Sequence, residues 1–308
     1  MPNLIPERPI YKRERLLIGF PVLALFALLF ATRLLDRWIH LPFDILWIKL
    51  VAELVVFLLP TVIFLMMRGA GYSRILRLRM PAPTHIPLMI AAFFALITGS
   101  ILLSILCGGI GSLGNSATIY ETAPAPNWFY GIAMSVVLAV LPAVLEEFFF
   151  RGLVVAEYER RGAIRAVLMS ALLFSFCHFD WRNLPVYLFS GVLFALVLLA
   201  TDSLFATIIL HASYNLVSLL GQRYLNALYD ITGSMEIFLF ILIITLLLSG
   251  VILFRAAARI YRAREQSGLE EPRRDVPWNV QFYTILDALR DPPIILCAIV
   301  AVLGFFLL

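Results

Sequence analysis

Two adjacent carboxylates, Glu146 and Glu147, stand inside an almost wholly apolar run from Leu141 to Gly152, and Arg151 follows four residues after Glu147. An ionisable side chain at membrane depth costs roughly 2.5–3.5 kcal/mol on insertion scales, so three in six positions call for a function. Residues four apart share a helix face, which predicts a Glu147–Arg151 pair in the favourable acid-before-base order. Glu146 is rotated by about 100° from Glu147 on a helix, which leaves it free for chemistry. A plainer alternative is that both glutamates flank a cytosolic loop starting near Arg151. Apolar surroundings tune a carboxyl towards the working range of a general base, and peptide hydrolysis needs an activated water.

Two later stretches add partners for such a base. Phe174-Ser-Phe-Cys-His178 closes one apolar run, and His211-Ala-Ser-Tyr-Asn215 lies inside another. The chain has only four His, and two of them fall here. His211 and Asn215 are one turn apart and share a face, and an Asn amide is suited to donating to an oxyanion. Either His taken alone has a plain reading as a hydrogen bond between membrane helices. Taken together, Glu146, His178, His211 and Asn215 can converge in one bundle interior. Glu146 is then the candidate base, His178 holds or polarises the water, and Glu147 with Arg151 supports and orients them.

Glu146-Glu147-x-x-x-Arg151, Phe174-x-x-x-His178 and His211-x-x-x-Asn215 occur in that order. They resemble the three motifs of the CAAX prenyl protease type II and bacteriocin-processing family of intramembrane glutamic endopeptidases. The resemblance covers residues 128–220. It implies catalytic roles for Glu146, His178, His211 and Asn215, and a substrate that is a peptide or protein end at or in the membrane. Members of the family are described both as metalloproteases and as glutamate proteases. A His/His/Glu set can also ligate zinc. No His-Glu-x-x-His motif is present, and the expectation is hydrolysis without a cofactor, with zinc as the alternative.

Composition fixes the class. At 62% hydrophobic and 14% charged residues, the chain lies far from soluble globular usage. Its continuous apolar runs predict an all-α polytopic transmembrane bundle of about 8–9 helices, not a barrel. The net charge of +4 belongs to loops that orient the chain in a bilayer, and implies no nucleic acid. Cys107, Cys177 and Cys297 are isolated and read as small apolar residues.

The crossings are expected at about 16–35, 43–67, 86–107, 128–158, 163–180, 184–200, 204–221, 235–254 and 293–308, with Glu53 inside the second. Three regions follow: N-terminal helices in 1–127, a catalytic core in 128–220, and C-terminal helices with a basic loop at 255–292. Pro142 predicts a kink beside the glutamates. Asp275 to Asp291 has the spacing of an interfacial amphipathic helix. A cytoplasmic N-terminus puts every strongly basic loop inside, and the Arg-rich usage suggests a bacterial inner membrane.

Depth can be counted along the chain. Glu146 lies about 15 residues before the turn near 159–164 and His178 about 14 after it, so a hairpin brings both to similar depth at ~1.5 Å per residue. His211 lies too near its own turn at 201–203 to match, unless that turn is buried in the bundle or its helix is tilted. The expected partners are the lipid bilayer and a membrane-anchored protein or peptide substrate. Rival readings are a non-catalytic immunity or scaffold protein of the same fold, or a proton-coupled transporter. Internal repeats, which a transporter of this kind would carry, are not visible.

Overall fold

A computed structural model of the chain describes residues 17–38, 45–69, 76–108, 128–160, 162–268 and 278–308. Among these the architecture is entirely helical. The elements are α1 (Gly19–Trp38), α2 (Leu46–Arg68), α3 (Ile86–Gly108), α4 (Trp128–Glu159), α5 (Ala163–Phe176), α6 (Leu184–Thr201), α7 (Leu204–Leu220), α8 (Gln222–Thr232), α9 (Met235–Ser267), α10 (Trp278–Leu289) and α11 (Pro292–Leu307). The basic segment before α1, the loop at 109–127 and residues 269–277 of the basic loop lie outside the described residues.

Six helices are long and apolar enough to cross a membrane, and a seventh span results if α10 and α11, bent by 63°, are joined. The expected fifth, seventh and ninth crossings correspond to α5, α7 and α11, each too short to count alone. At ~1.5 Å per residue α5 covers only some two-thirds of a ~30 Å hydrocarbon core.

Three segments depart from expectation. First, α9 does not stop at 254 but runs to Ser267, so Arg255, Arg259, Arg262 and Arg264 stand on a helix rather than in a loop. The run Ala256-Ala257-Ala258 and its flanking arginines are good helix formers, and nothing breaks the helix before Gly268, which caps it at φ 65°. Second, residues 222–232 form α8 where a loop was expected; Leu225, Leu228 and Ile231 at three-residue spacing and the terminal Gly233 carried that signal. Third, α5 ends at Phe176 and not near 180, so His178 stands in the turn beyond it.

Proline shapes two of the long helices. Pro60 in α2 and Pro142 in α4 each follow a π-helical turn, Leu54–Leu58 and Val136–Val140. Proline offers no N–H to the preceding turn, and a locally widened helix absorbs that loss without breaking. A second π-helical stretch, Phe148–Val155, follows Glu147. The glutamate pair therefore occupies a short α-helical piece between two widened ones.

Lipid is as apolar as leucine, so close packing and polar links hold the bundle rather than hydrophobic burial. Edge-to-face rings run from α2 into the interior: Phe57 to Phe149 at 6.3 Å, Phe149 to Phe150 at 5.3 Å, Phe150 to Phe174 at 5.4 Å, and Phe174 to Phe194 at 6.2 Å. Each such pair adds about 0.5–1.5 kcal/mol beyond its area. Gly162, at φ 127°, closes the α4–α5 hairpin in a conformation that L side chains rarely adopt.

A polar clamp sets α4 against α7. Arg77 reaches Glu159 at the end of α4 at 2.5 Å and Asp202 in the α6–α7 turn at 2.8 Å, while Arg79 also reaches Asp202 at 2.8 Å. The Leu204 amide donates to the Arg77 carbonyl at 2.9 Å. Thr201, Ser203 and Leu204 are buried. The turn at 201–203 is thus tied to the end of α4, with Thr201 and Ser203 buried and Asp202 partly exposed.

Helices α5 and α6 touch at Gly191, where an added Cβ would sit 2.9 Å from the Ala171 Cα and 3.1 Å from its Cβ. Both opposing atoms are rigid. Gly191→Ala should therefore destabilise the protein by about 1–3 kcal/mol through overpacking, read as a lowered unfolding midpoint in detergent or lipid. An unchanged midpoint would mean the two helices are not in this contact.

Candidate active site

The Glu147–Arg151 pair expected from spacing is present: Arg151 Nη1 donates to Glu147 Oε1 at 2.9 Å, with both side chains fully buried. This disposes of the loop alternative, because Arg151 is only 1% exposed and stands mid-helix. Arg151 Nη2 donates to the Gly191 carbonyl at 3.1 Å. Its guanidinium carbon lies 4.5 Å from the Phe174 ring centroid and 5.0 Å from that of Phe194. A delocalised cation over aromatic faces is a low-cost way to bury charge.

The same Glu147 Oε1 binds His211 Nδ1 at 2.9 Å. An oxygen already accepting from a guanidinium belongs to a carboxylate, so the imidazole must be the donor and Nδ1 carries the proton. In the neutral ring Nε2 is then a bare acceptor. Phe194 stacks on the His211 ring at 4.4 Å and 25°. Glu147 therefore does more than neutralise Arg151: it fixes the ring and tautomer of His211, the role a carboxylate plays behind a functional histidine.

His178 is held in a parallel way. Its Nδ1 lies 2.7 Å from the Phe174 carbonyl, which can only accept. Nδ1 therefore donates, and Nε2 is again the free acceptor. Tyr187 stacks on the ring at 3.9 Å and 18°. The Phe174 ring contacts both imidazoles, with centroids 4.9 Å from His178 and 5.8 Å from His211. The Cys177 thiol is buried and turned back to the Phe174 carbonyl at 3.0 Å.

Glu146 makes a different use of its surroundings. Its Oε2 is buried and has no hydrogen-bond partner among the described residues. It lies within electrostatic reach of Glu53, Glu147, Arg151 and Arg33. Glu53 Oε2 is likewise buried without a partner, on a helix that packs against the segment carrying Glu146. Asn215 Nδ2 donates to the Ala139 carbonyl in the π-helical turn before Pro142, at 3.2 Å. A primary amide has two N–H bonds, so one is still available to a developing oxyanion.

Of the six sequence-derived residues, Glu147, Arg151 and His211 are joined by hydrogen bonds and His178 reaches them through the Phe174 ring; Glu146 stands beside Glu147 on α4, and Asn215 on α7 bonds the turn before it. Sequence reading did not single out Tyr187, Gly191 and Phe194, although their spacing of four and then three puts them on one face of α6. All three serve the site. Glu53 was visible as an interior carboxylate but unassigned, and Arg33 was overlooked as one charge near the end of α1.

Among the described residues no three His, Cys, Asp or Glu side chains are grouped to hold a metal ion.

Residues 127–217 match the family model described as type II CAAX prenyl endopeptidase Rce1-like. The matched span contains α4 to most of α7 and every residue of the site except Glu53 and Arg33. No curated protein and no solved structure matched the chain.

The buried pair yields a stability prediction. Arg151→Met should cost about 3–5 kcal/mol, because it strands the Glu147 charge. Glu147→Gln/Arg151→Met should recover part of that loss, giving a coupling energy of about 0.5–3 kcal/mol in a double-mutant cycle of unfolding. Additive losses would mean the two groups do not act as a pair.

Proposed function

We propose that the chain, whose residues 127–217 match the type II CAAX prenyl endopeptidase model, is an intramembrane endopeptidase of that kind that hydrolyses a peptide bond in a membrane-associated protein or tail, with Glu146 activating the water. What supports this reading is a buried carboxylate oxygen on Glu146 without a partner among the described residues, next in sequence to the Glu147 that binds His211, together with two imidazoles whose Nδ1 atoms are both occupied. A hydrolase needs such groups: a base with a free lone pair and acceptors that orient water by their remaining nitrogen.

In the proposed reaction Glu146 takes a proton from water as the oxygen attacks the scissile carbonyl carbon. Nε2 of His178 accepts the water's other hydrogen and aligns the attack. Negative charge collects on the carbonyl oxygen, where the second N–H of Asn215 donates. The tetrahedral intermediate then collapses, and Glu146 returns its proton to the leaving nitrogen. Glu147 and Arg151 stay paired throughout and keep His211 in its tautomer. The water's oxygen ends in the new carboxylate, and no redox step is involved.

The proposal extends to the setting. The core at 128–220 carries the chemistry, and the flanking helices at 1–127 and 221–308 frame it. Arg255, Arg259 and Arg262, exposed along one face of α9, fit the cytoplasmic headgroup layer of a bacterial inner membrane, with the N-terminus on that side. The substrate is a membrane-anchored peptide, since the site lies among crossing helices.

The test uses purified protein in lipid nanodiscs and quenched fluorescent peptides, each carrying one hydrophobic anchor. Glu146→Gln, which keeps shape and removes the base, should lower kcat by at least about 10²-fold with an unchanged unfolding midpoint. Asn215→Ala should lower kcat by about 10²–10³-fold, the usual loss for one oxyanion donor. Cleavage should survive a zinc chelator. Full activity in Glu146→Gln would refute the assignment of the base, and loss to chelator with recovery on added zinc would refute the side-chain mechanism.

A further inference from the structure

His178 stands beyond the end of α5, and what holds its backbone there comes from outside the matched segment. The turn's own hydrogen bonds are long: the His178 amide to the Ser175 carbonyl and the Phe179 amide to the Phe176 carbonyl are both 3.3 Å. The next residue, Phe179, adopts φ 53°. A bulky L residue at positive φ is a steric outlier, and it persists only where its surroundings over-determine it.

Those surroundings are helices α1 and α11. Phe179 is buried, with ring centroids 6.2 Å from both Phe26 and Phe30, in edge-to-face arrangements of 85° and 72°. The Arg33 guanidinium lies 5.6 Å from the Phe179 centroid. On the far side the ring rests on Gly304 of α11, where any Cβ would overlap it. Helices α1 and α11 run side by side in the same direction: Gly19 meets Pro293 at one end, and Arg37 Nη1 donates to the Leu307 carbonyl at 2.6 Å at the other. Together they make a preformed socket.

We infer that Phe179 is a positioning residue for His178, gripped by a socket of Phe26, Phe30 and Arg33 from α1 and Gly304 from α11, so that two helices outside the matched segment set the geometry of the active site. The inference rests on the endopeptidase reading above. It assigns α11 a purpose: Gly304 must lack a side chain so that the ring can seat. The His178 side chain is held by Phe174 and Tyr187, but its Cα is carried by the turn that Phe179 pins. A hydrolytic group displaced by about 1 Å can lose some 10²-fold in rate without losing its substrate.

The test uses the full chain in nanodiscs with the anchored fluorescent peptides, and reads kcat, KM and backbone hydrogen exchange. Gly304→Val and Phe179→Ala should each lower kcat at least about tenfold with KM within about twofold. The double variant should lose no more than Phe179→Ala alone, because both act through one contact. Amides at 177–180 should exchange at least about tenfold faster, with α5 and α6 unchanged. If Gly304→Val fails to fold, Gly304→Ala and Arg33→Gln make the same comparison with less disturbance. Unchanged kcat, or unchanged exchange at 177–180, in the folded variants overturns the inference while leaving the endopeptidase reading intact. Absence of any cleavage by the wild-type chain defeats that reading, and with it the catalytic purpose given to the socket, whatever the exchange shows.

Discussion

One carboxylate oxygen, Glu147 Oε1, accepts from both Arg151 and His211 at 2.9 Å in the fully buried interior. Two helices meet at that atom, α4 with the acid and its base and α7 with the imidazole. Arg151 extends the link to the α6 backbone at Gly191. A charge buried in hydrocarbon tolerates few alternatives, so each group has one low-energy position and the three helices share one register. The aromatic faces of Phe174 and Phe194 exclude water and complete the enclosure. The price of burying three polar groups is offset by an arrangement that leaves Glu146, one residue earlier, free of any such duty.

The rest of the bundle makes that register possible. α5 and α7 are shorter than the helices that can cross a membrane by themselves. Arg77 and Arg79 tie the 201–203 turn to the end of α4 through Asp202 and Glu159, at the start of the helix that carries His211. The π-helical turns before Pro60 and Pro142 let α2 and α4 continue past prolines, and the second of them carries the Ala139 carbonyl that anchors Asn215. At the other end of the site, α1 and α11 close on Phe179.

Much of this was legible in the residues. The Glu147–Arg151 pair followed from a spacing of four, and the hairpin of α4 and α5 on which Glu146 and His178 were counted to similar depth is present. The contact of His211 was not legible from its distance to the 201–203 turn, because its partner Glu147 lies on α4, more than sixty residues away. What periodicity could not see is equally specific. It ran α5 on to 180, whereas the helix ends at Phe176 and the chain turns through Phe179 at φ 53°, which packs against helices more than a hundred residues away. It read the arginines after 254 as a loop from their charge, although their helix propensity and the lack of a breaker before Gly268 favoured α9. Tyr187, Gly191 and Phe194 matter only because α6 lies against α4, α5 and α7, and a lone helix face does not announce its neighbours.

The most direct test of the account is nitrogen-15 magnetic resonance of histidine-labelled protein in nanodiscs, wild type against Glu147→Gln. If Glu147 organises the site, His211 in the wild type carries its proton on Nδ1 with Nε2 bare, and the substitution mixes or reverses that tautomer while His178, held by the Phe174 carbonyl, stays as it was. A His211 proton on Nε2 in the wild type, or a spectrum indifferent to Glu147→Gln, would contradict the central claim that this one buried oxygen sets the site.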